Sequence, residues 1–352
     1  KMNNGKSELT VAGRFVDVTS PGGVLIEGFK EAESIRVEQA HEIFRHRIKV
    51  SPHASKQPSH KKGDLLKDLK ILDLSNGLAG PTSAFTLAQY GADVIVLGPP
   101  MSNQELLTIE VNQGKRSLLA DLKTAPGQEI LRRLVSWADV VVHNTLDNVS
   151  QRLGISHEQL HAINPNIVSC QVSCLGGSRR GGWELRPGFD PIAQIVSGMM
   201  SDYGTFEEPH MHGQTITTDN LGGFGLAFSA VLGVYQQRKT GHAGEGRCSL
   251  ARVCNYIQLP YMIAENGKCD WGEAKGQLAL GDHWWQRLYQ CADSWIYVGA
   301  REDQSSTLAE VITGKCDAEE MMLEAMLVKQ DCTYWQQRLD AAQIACHEVI
   351  NI

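Results

Sequence analysis

Leu69-Lys70-Ile71-Leu72-Asp73-Leu74, Asn76-Gly77-Leu78-Ala79-Gly80-Pro81 and Gly91-Ala92-Asp93-Val94-Ile95-Val96-Leu97 are the three pieces of this chain whose reading decides the fold. The first and last are short apolar runs bounded by turn formers, which read as strands. The middle piece is a turn that opens a helix running towards Tyr90, so the three together form a βαβ unit. A second unit follows, with a helix over residues 126–137, the strand Asp139-Val140-Val141-Val142 and another strand over residues 167–172. Strands and helices alternating at this length predict an α/β fold. The expected architecture is an open parallel Rossmann-like sheet with helices on both faces, plus a smaller α/β domain.

Outward from this centre, residues 1–62 form an N-terminal extension that ends in a polar, proline-containing run over 51–62, read as a linker. The large domain is expected over residues 63–262. Beyond Asp190 it turns helical, over 191–200 and 221–238. A turn-rich link, Lys239-Thr240-Gly241-His242-Ala243-Gly244-Glu245-Gly246, leads to a strand edge and helix over 247–262. Residues 263–352 are expected to form the small domain and its linker, with the strand Trp295-Ile296-Tyr297-Val298 and two amphipathic helices. No fixed-period repeat is present.

The chain has 352 residues, of which 42% are hydrophobic and 21% charged, so a wholly disordered chain is excluded. The net charge of −7 argues against a chain-wide grip on nucleic acid, and any anionic ligand must be held by local cations. The longest apolar stretches fall short of the roughly 20 residues a membrane helix needs, so no membrane partner is expected. Residues 1–13 are polar and lack the apolar middle of a secretory signal, which favours the cytoplasm. Nine cysteines without a CxxC pair suggest neither a disulfide framework nor a zinc site, and no metal is expected. Cys170 and Cys174 share one strand face at period two and read as small buried apolar residues. There is no Walker loop, HExxH or GxSxG motif.

Two aspartates carry the candidate chemistry. Asp219 lies where Thr215-Ile216-Thr217-Thr218 gives way to a helix beginning with Gly222-Gly223-Phe224-Gly225. It reads as an N-cap, and equally as a rigidly held carboxylate beside open backbone amides that could attack a carbonyl. Asp190, just before Pro191, has the same two readings. The glycines are read as permitting close packing. Cations cluster in Gly114-Lys115-Arg116-Ser117 and at Lys123, and Arg152 precedes Leu153-Gly154. They read as a solvated surface or as partners for a nucleotide's phosphates.

In order and spacing these pieces resemble the family III CoA-transferases (the CaiB/BaiF group, including formyl-CoA transferase, carnitine CoA-transferase and methylacyl-CoA racemase). The matching segments run from about Leu65 to Ile352. They include Ile71-Leu72-Asp73-Leu74 with Ala79-Gly80-Pro81, Tyr90-Gly91-Ala92-Asp93-Val94-Ile95, Gly114-Lys115-Arg116-Ser117 with Asp121-Leu122-Lys123-Thr124, Ala138-Asp139-Val140-Val141-Val142-His143-Asn144, Arg152-Leu153-Gly154, Asn164-Pro165-Asn166-Ile167-Val168, Arg186-Pro187-Gly188-Phe189-Asp190, Asp219, and Lys239-Thr240-Gly241 with Gly244-Glu245-Gly246. The resemblance implies a CoA-transferase that moves CoA from an acyl-CoA donor to a small carboxylic acid through an aspartyl-CoA thioester. Asp219 falls at the nucleophile and Asp190 at the acidic residue beside it. Asn76, Ala79, Lys123, Asn144 and Arg152 fall at positions that contact coenzyme A, the co-substrate, with Lys123 and Arg152 as phosphate partners. It also implies an interlocked homodimer, or a pseudo-dimer with a second transferase domain.

The chain departs from that pattern in several places. Leu97-Gly98-Pro99-Pro100 lacks an expected cation, the stretch 100–112 is short, and the glycine-rich lid is reduced to Gly276 and Gly281 around Asp282-His283-Trp284-Trp285. Phe189 stands where racemases of the family have a histidine, which favours transfer over racemisation. Trp183, Tyr203, Phe206, Trp284 and Trp285 read first as packing residues. They would equally suit an onium acid acceptor of the carnitine or dimethylsulfoniopropionate kind. The alternatives are an acyl-CoA racemase or isomerase and a non-catalytic CoA-binding half of a fused enzyme.

Overall fold

The computed structural model describes residues 65–99, 110–176, 183, 185–212, 217–259, 276, 278–317 and 320–350, together with a short antiparallel pair, Met2–Asn3 with Lys6–Ser7. The linker expected over residues 51–62 lies outside the described residues. The chain divides into two compact units, Lys1–Met199 with His212–Ile257, and Met200–Met211 with Gln258–Ile352.

The first unit is built on six parallel strands: β1 (Lys70–Asp73), β2 (Asp93–Gly98), β3 (Arg116–Leu119), β4 (Val140–His143), β5 (Val168–Ser173) and β6 (Glu245–Ser249). Their order across the sheet is β3-β2-β1-β4-β5-β6. Ile71 pairs with Val94 on one side and Val140 on the other, so the strand order reverses between β1 and β4. In open α/β sheets the crevice beyond the carboxyl ends of those two strands is where ligands bind.

Both sheet faces are covered, which is why the central strands are apolar throughout. Ile71, Val94, Val140, Val142, Val168 and Val172 pack under α1 (Ala79–Gln89), α7 (Thr217–Thr240) and α8 (Leu250–Ile257). Leu72, Leu97 and Val141 pack on the other face with Leu131 and Val135 of α2 (Ala125–Trp137) and Leu160, which lies on α4 (His157–Ile163) after α3 (Asp147–Leu153). Thr124 caps α2 by accepting the Gly127 N–H at 3.2 Å, and Ser156 with Gln159 forms a capping box on α4.

Sequence and structure differ at several elements. β3 reads in the sequence as a cation cluster, because an edge strand with Leu118 and Leu119 exposed carries no apolar run. The helix expected over 191–200 is two short ones, α5 (Asp190–Val196) and α6 (Met199–Tyr203), separated at Gly198, whose φ of +79° breaks the helix. α7 starts at Thr217, a full turn before the expected Leu221.

The second unit contains an antiparallel sheet of β7 (Gly281–His283), β8 (Gln286–Gln290), β9 (Trp295–Gly299) and β10 (Ala345–Glu348), in the order β10-β9-β8-β7. Three helices accompany it where two were expected: α9 (Ser305–Thr313), α10 (Glu320–Leu327) and α11 (Cys332–Ala341). Ile296, Val298, Leu308, Ile312, Leu323 and Leu339 form its core. Trp284 and Trp285, edge-to-face at 5.3 Å, pack against that core.

Candidate active site

Asp219 is the third residue of α7 and therefore not its cap. Its carboxylate takes no hydrogen bond from any described residue, and it is only partly buried. The capping is done from elsewhere. Asp190 Oδ2 accepts the backbone N–H of Thr218 at 2.8 Å, the Thr218 hydroxyl at 2.6 Å and the backbone N–H of Asp219 at 3.3 Å. Nor does Asp190 cap its own helix: it is the first residue of α5, and Phe189 occupies the cap position without a side-chain bond. Both N-cap readings are thus corrected. The orphan amides at the start of α7 are satisfied by a carboxylate from another helix, which leaves Asp219 free of that task.

The support behind Asp190 was not found in the sequence. Gln194, one turn along α5, donates its amide to Asp190 Oδ1 at 2.5 Å and accepts the His212 N–H at 2.9 Å. Asp190, Gln194 and Thr218 are all buried. The (i, i+4) spacing of Asp190 and Gln194 on a helix was the available signal. Burial first, and then the charge of Asp190, pushes the Asp219 carboxyl up to about 6. Cys174 lies against the same pair: burial, then Asp219, Cys254 and Asp190, push its thiol up to about 12, so it is no nucleophile at neutral pH. Cys170 is likewise buried, as read from the sequence.

The glycines after Asp219 bring α7 against α1. A Cβ on Gly223 would fall 2.6 Å from Thr82 Cβ and 2.7 Å from the Ala79 carbonyl oxygen. Gly223 is one turn from Asp219 on α7, so this contact fixes the helix within one turn of the carboxylate. Ala79 is the first residue of α1. At the same switch point the Asn144 side chain accepts the Asn76 N–H at 3.1 Å and donates to the Asn76 carbonyl at 2.5 Å, joining the ends of β1 and β4. His143 beside it is buried and held neutral, with its ionisation pushed down to about 4 by burial and then by the Arg247 charge.

The cations separate into two groups. Lys115 is buried and bonded to Asp73 at 2.7 Å, to the Pro81 carbonyl at 2.9 Å and to Asn112 at 3.2 Å. Arg116 forks onto Asp93. Lys115 is therefore unavailable to a phosphate, which corrects the phosphate reading at that residue, whereas Arg116 and its partner Asp93 stay exposed. Lys123 and Arg152 are exposed, with no ionic partner among the described residues. No described hydrogen bond joins them to Asn76, Asn144 or Asp219. A pocket at the ends of β1, β2 and β3 is lined by Asn76, Pro81, Gly98, Pro99, Leu118 and Leu119 among others, none of them cationic. Of the aromatic residues, Trp183 already lies 5.1 Å beneath the Arg186 guanidinium.

The CoA-transferase family III profile matches residues 66–352. The chain is similar to the CoA-transferase/lyase DddD of Marinomonas sp. (strain MWYL1), 34% identical over 84% of this chain and 36% of that protein. It is also similar to the human succinyl-CoA:glutarate CoA-transferase, 27% identical over 70% of this chain and 59% of that protein. The chain thus spans about a third of the first relative and under two thirds of the second. Among solved structures, a hypothetical protein from Mycobacterium tuberculosis superposes with a TM-score of 0.69 at 23% identity, over 82% of this chain and 86% of the other. A CaiB/BaiF family protein from Brucella suis does so with a TM-score of 0.66 at 23% identity, over 81% and 83%. Among the described residues no helix is long and apolar enough to cross a membrane.

Proposed function

Because the chain belongs to the family III CoA-transferases, we propose that it moves CoA from an acyl-CoA donor to a carboxylic acid, with Asp219 as the nucleophile. The observation that carries this reading is a carboxylate that accepts no hydrogen bond among the described residues, on a helix start that Asp190 pins from outside. A partly desolvated, fixed carboxylate gains from proximity to a thioester what it lacks in nucleophilicity in water.

The steps balance without a net proton. An Asp219 oxygen attacks the thioester carbonyl and the C–S bond breaks, leaving a mixed anhydride and CoA thiolate. The thiolate attacks the Asp219 carbonyl carbon, the anhydride C–O bond breaks, and the donor acid leaves as a carboxylate. The acceptor carboxylate then attacks the aspartyl thioester and releases the thiolate. That thiolate takes the acceptor acyl group from the new anhydride and restores Asp219.

Asn76, Ala79 and Asn144 at the switch point, with Lys123 and Arg152, form the proposed CoA contacts. Exposed cations without an ionic partner among the described residues suit the phosphates, and the tight Ala79–Gly223 approach one turn from Asp219 supports grouping it with the switch point. The finer reading is an onium acid acceptor of the dimethylsulfoniopropionate or carnitine kind, supported by the similarity to the CoA-transferase/lyase. Leu221, Phe224, Phe228, Leu232 and Tyr235 form an exposed apolar row along α7, which supports a homodimer or a pseudo-dimer with a second transferase domain. Free thiols at all eight described cysteines fit a reducing cytoplasm.

The test is to incubate the protein with acyl-CoA, trap with hydroxylamine or borohydride, and map the product by mass spectrometry. Modification at Asp219 is expected; an unmodified Asp219 under turnover overturns the mechanism. Exchange of a substrate α-proton with deuterium oxide in the absence of acceptor acid would instead support a racemase, against which the ring of Phe189 argues.

A further inference from the structure

Gln128 lies in the first half of α2, and its side chain reaches two segments far apart in sequence, the turn before α2 and the last residue of α3. Its amide nitrogen donates to the Leu122 carbonyl at 2.5 Å and to the Leu153 carbonyl at 3.0 Å. Leu122 immediately precedes Lys123, and Leu153 immediately follows Arg152. One primary amide has two N–H donors, and here both are used to tie together the backbones beside Lys123 and Arg152, which have no ionic partner among the described residues.

The chain leaves room for this bridge. Gly154 closes α3 in the left-handed region at φ +75°, and a Cβ there would fall 2.9 Å from Gln128 Oε1. Two long cationic side chains, one on the turn before α2 and one at the end of α3, would lose both backbone and side-chain freedom on converging on one anion if those segments were free to part. A strut fixed before binding removes the backbone share of that loss.

We infer that Gln128 is a positioning residue for the acyl-CoA donor, its amide holding Lys123 and Arg152 at the spacing of a two-point phosphate site. This rests on the proposed assignment of those two cations to the CoA phosphates and is independent of the chemistry at Asp219.

The test titrates the full chain calorimetrically with CoA and with adenosine 3′,5′-bisphosphate, and follows turnover of an acyl-pantetheine donor, which carries no phosphate. Gln128→Met keeps the volume and removes both donors. It is expected to weaken CoA and the bisphosphate about tenfold, as for the loss of one well-formed hydrogen-bonded constraint, with the KM for acyl-pantetheine unchanged. Gln128→Asn, which keeps the amide but shortens its reach, serves as the second variant should Gln128→Met fail to fold. Unchanged bisphosphate affinity in these variants, with Lys123→Ala and Arg152→Ala both weakened, overturns the strut and leaves the phosphate assignment standing. Equal losses for bisphosphate and acyl-pantetheine also overturn it, since they mark general damage. If neither cation variant loses affinity, the phosphate assignment falls and the strut with it.

Discussion

The carboxylate of Asp190 accepts the backbone N–H of Asp219 at 3.3 Å, so one aspartate holds the peptide on which the other is mounted. The two carboxylates divide the work. The buried one accepts bonds from Thr218 and Gln194, and the partly exposed one accepts none among the described residues.

Replacing the proposed nucleophile is the most direct consequence to measure. Asp219→Ala and Asp219→Asn are each expected to lower kcat by about a thousandfold or more, as for loss of other covalent nucleophiles. Thermal unfolding should be little changed, since no described bond depends on that carboxylate. Full activity in either variant would remove Asp219 from the mechanism.

The pH profile follows from the same carboxyl. Attack requires the ionised form, and the carboxyl is pushed up to about 6 by burial and by Asp190, so activity should be present above pH 6 and lost as pH falls through it. In Asp190→Asn the like charge is gone while the burial remains. The acid limb should therefore move to lower pH without returning fully to that of a solvated aspartate. An acid limb at the same pH in both proteins would show that the pair does not interact as described.

Asp190→Ala differs from Asp190→Asn. It leaves the Thr218 and Asp219 amides and the Gln194 side chain without their acceptor inside the protein, and is expected to cost about 3 kcal/mol or more in chemical denaturation. Asp190→Asn keeps an acceptor oxygen and should lose markedly less.

Gly223→Ala tests the packing that sets the position of Asp219. The added methyl would meet the Ala79 carbonyl oxygen at 2.7 Å, a backbone atom with little freedom to move. A loss of about 1–3 kcal/mol is expected for this kind of overpacking, with a drop in kcat because α7 is pushed away from α1. Wild-type stability and rate would contradict the close approach.

The buried ion pair between Lys115 and Asp73 has a testable asymmetry. Lys115→Met leaves an uncompensated carboxylate in the core and is expected to destabilise by about 3–5 kcal/mol. The double variant Lys115→Met with Asp73→Leu should recover much of that loss, as double-mutant denaturation curves would read.

The βαβ pattern from Leu69 to Leu97 and the strand at Val140 were legible because their signal is local: apolar runs, a Gly-Pro turn and a helical period within a few residues of each other. The strand at Arg116–Leu119 was not, since an edge strand needs no apolar run and its pairing partner lies elsewhere in the chain. Asp190 and Asp219 were legible as candidates by type and place, but their division of roles was not. Twenty-nine positions separate them, and only packing decides which carboxylate meets which amide.

What the amino-acid order determined by itself was the alternation of strands and helices, and with it an open parallel sheet covered on both faces. Tertiary structure alone decided that Lys115 is bound in the core while Lys123 has no ionic partner among the described residues, and that Gln128 joins the turn before α2 to the end of α3. The reason is that a side chain's charge is written in the sequence, whereas its availability depends on which partner reaches it first in three dimensions.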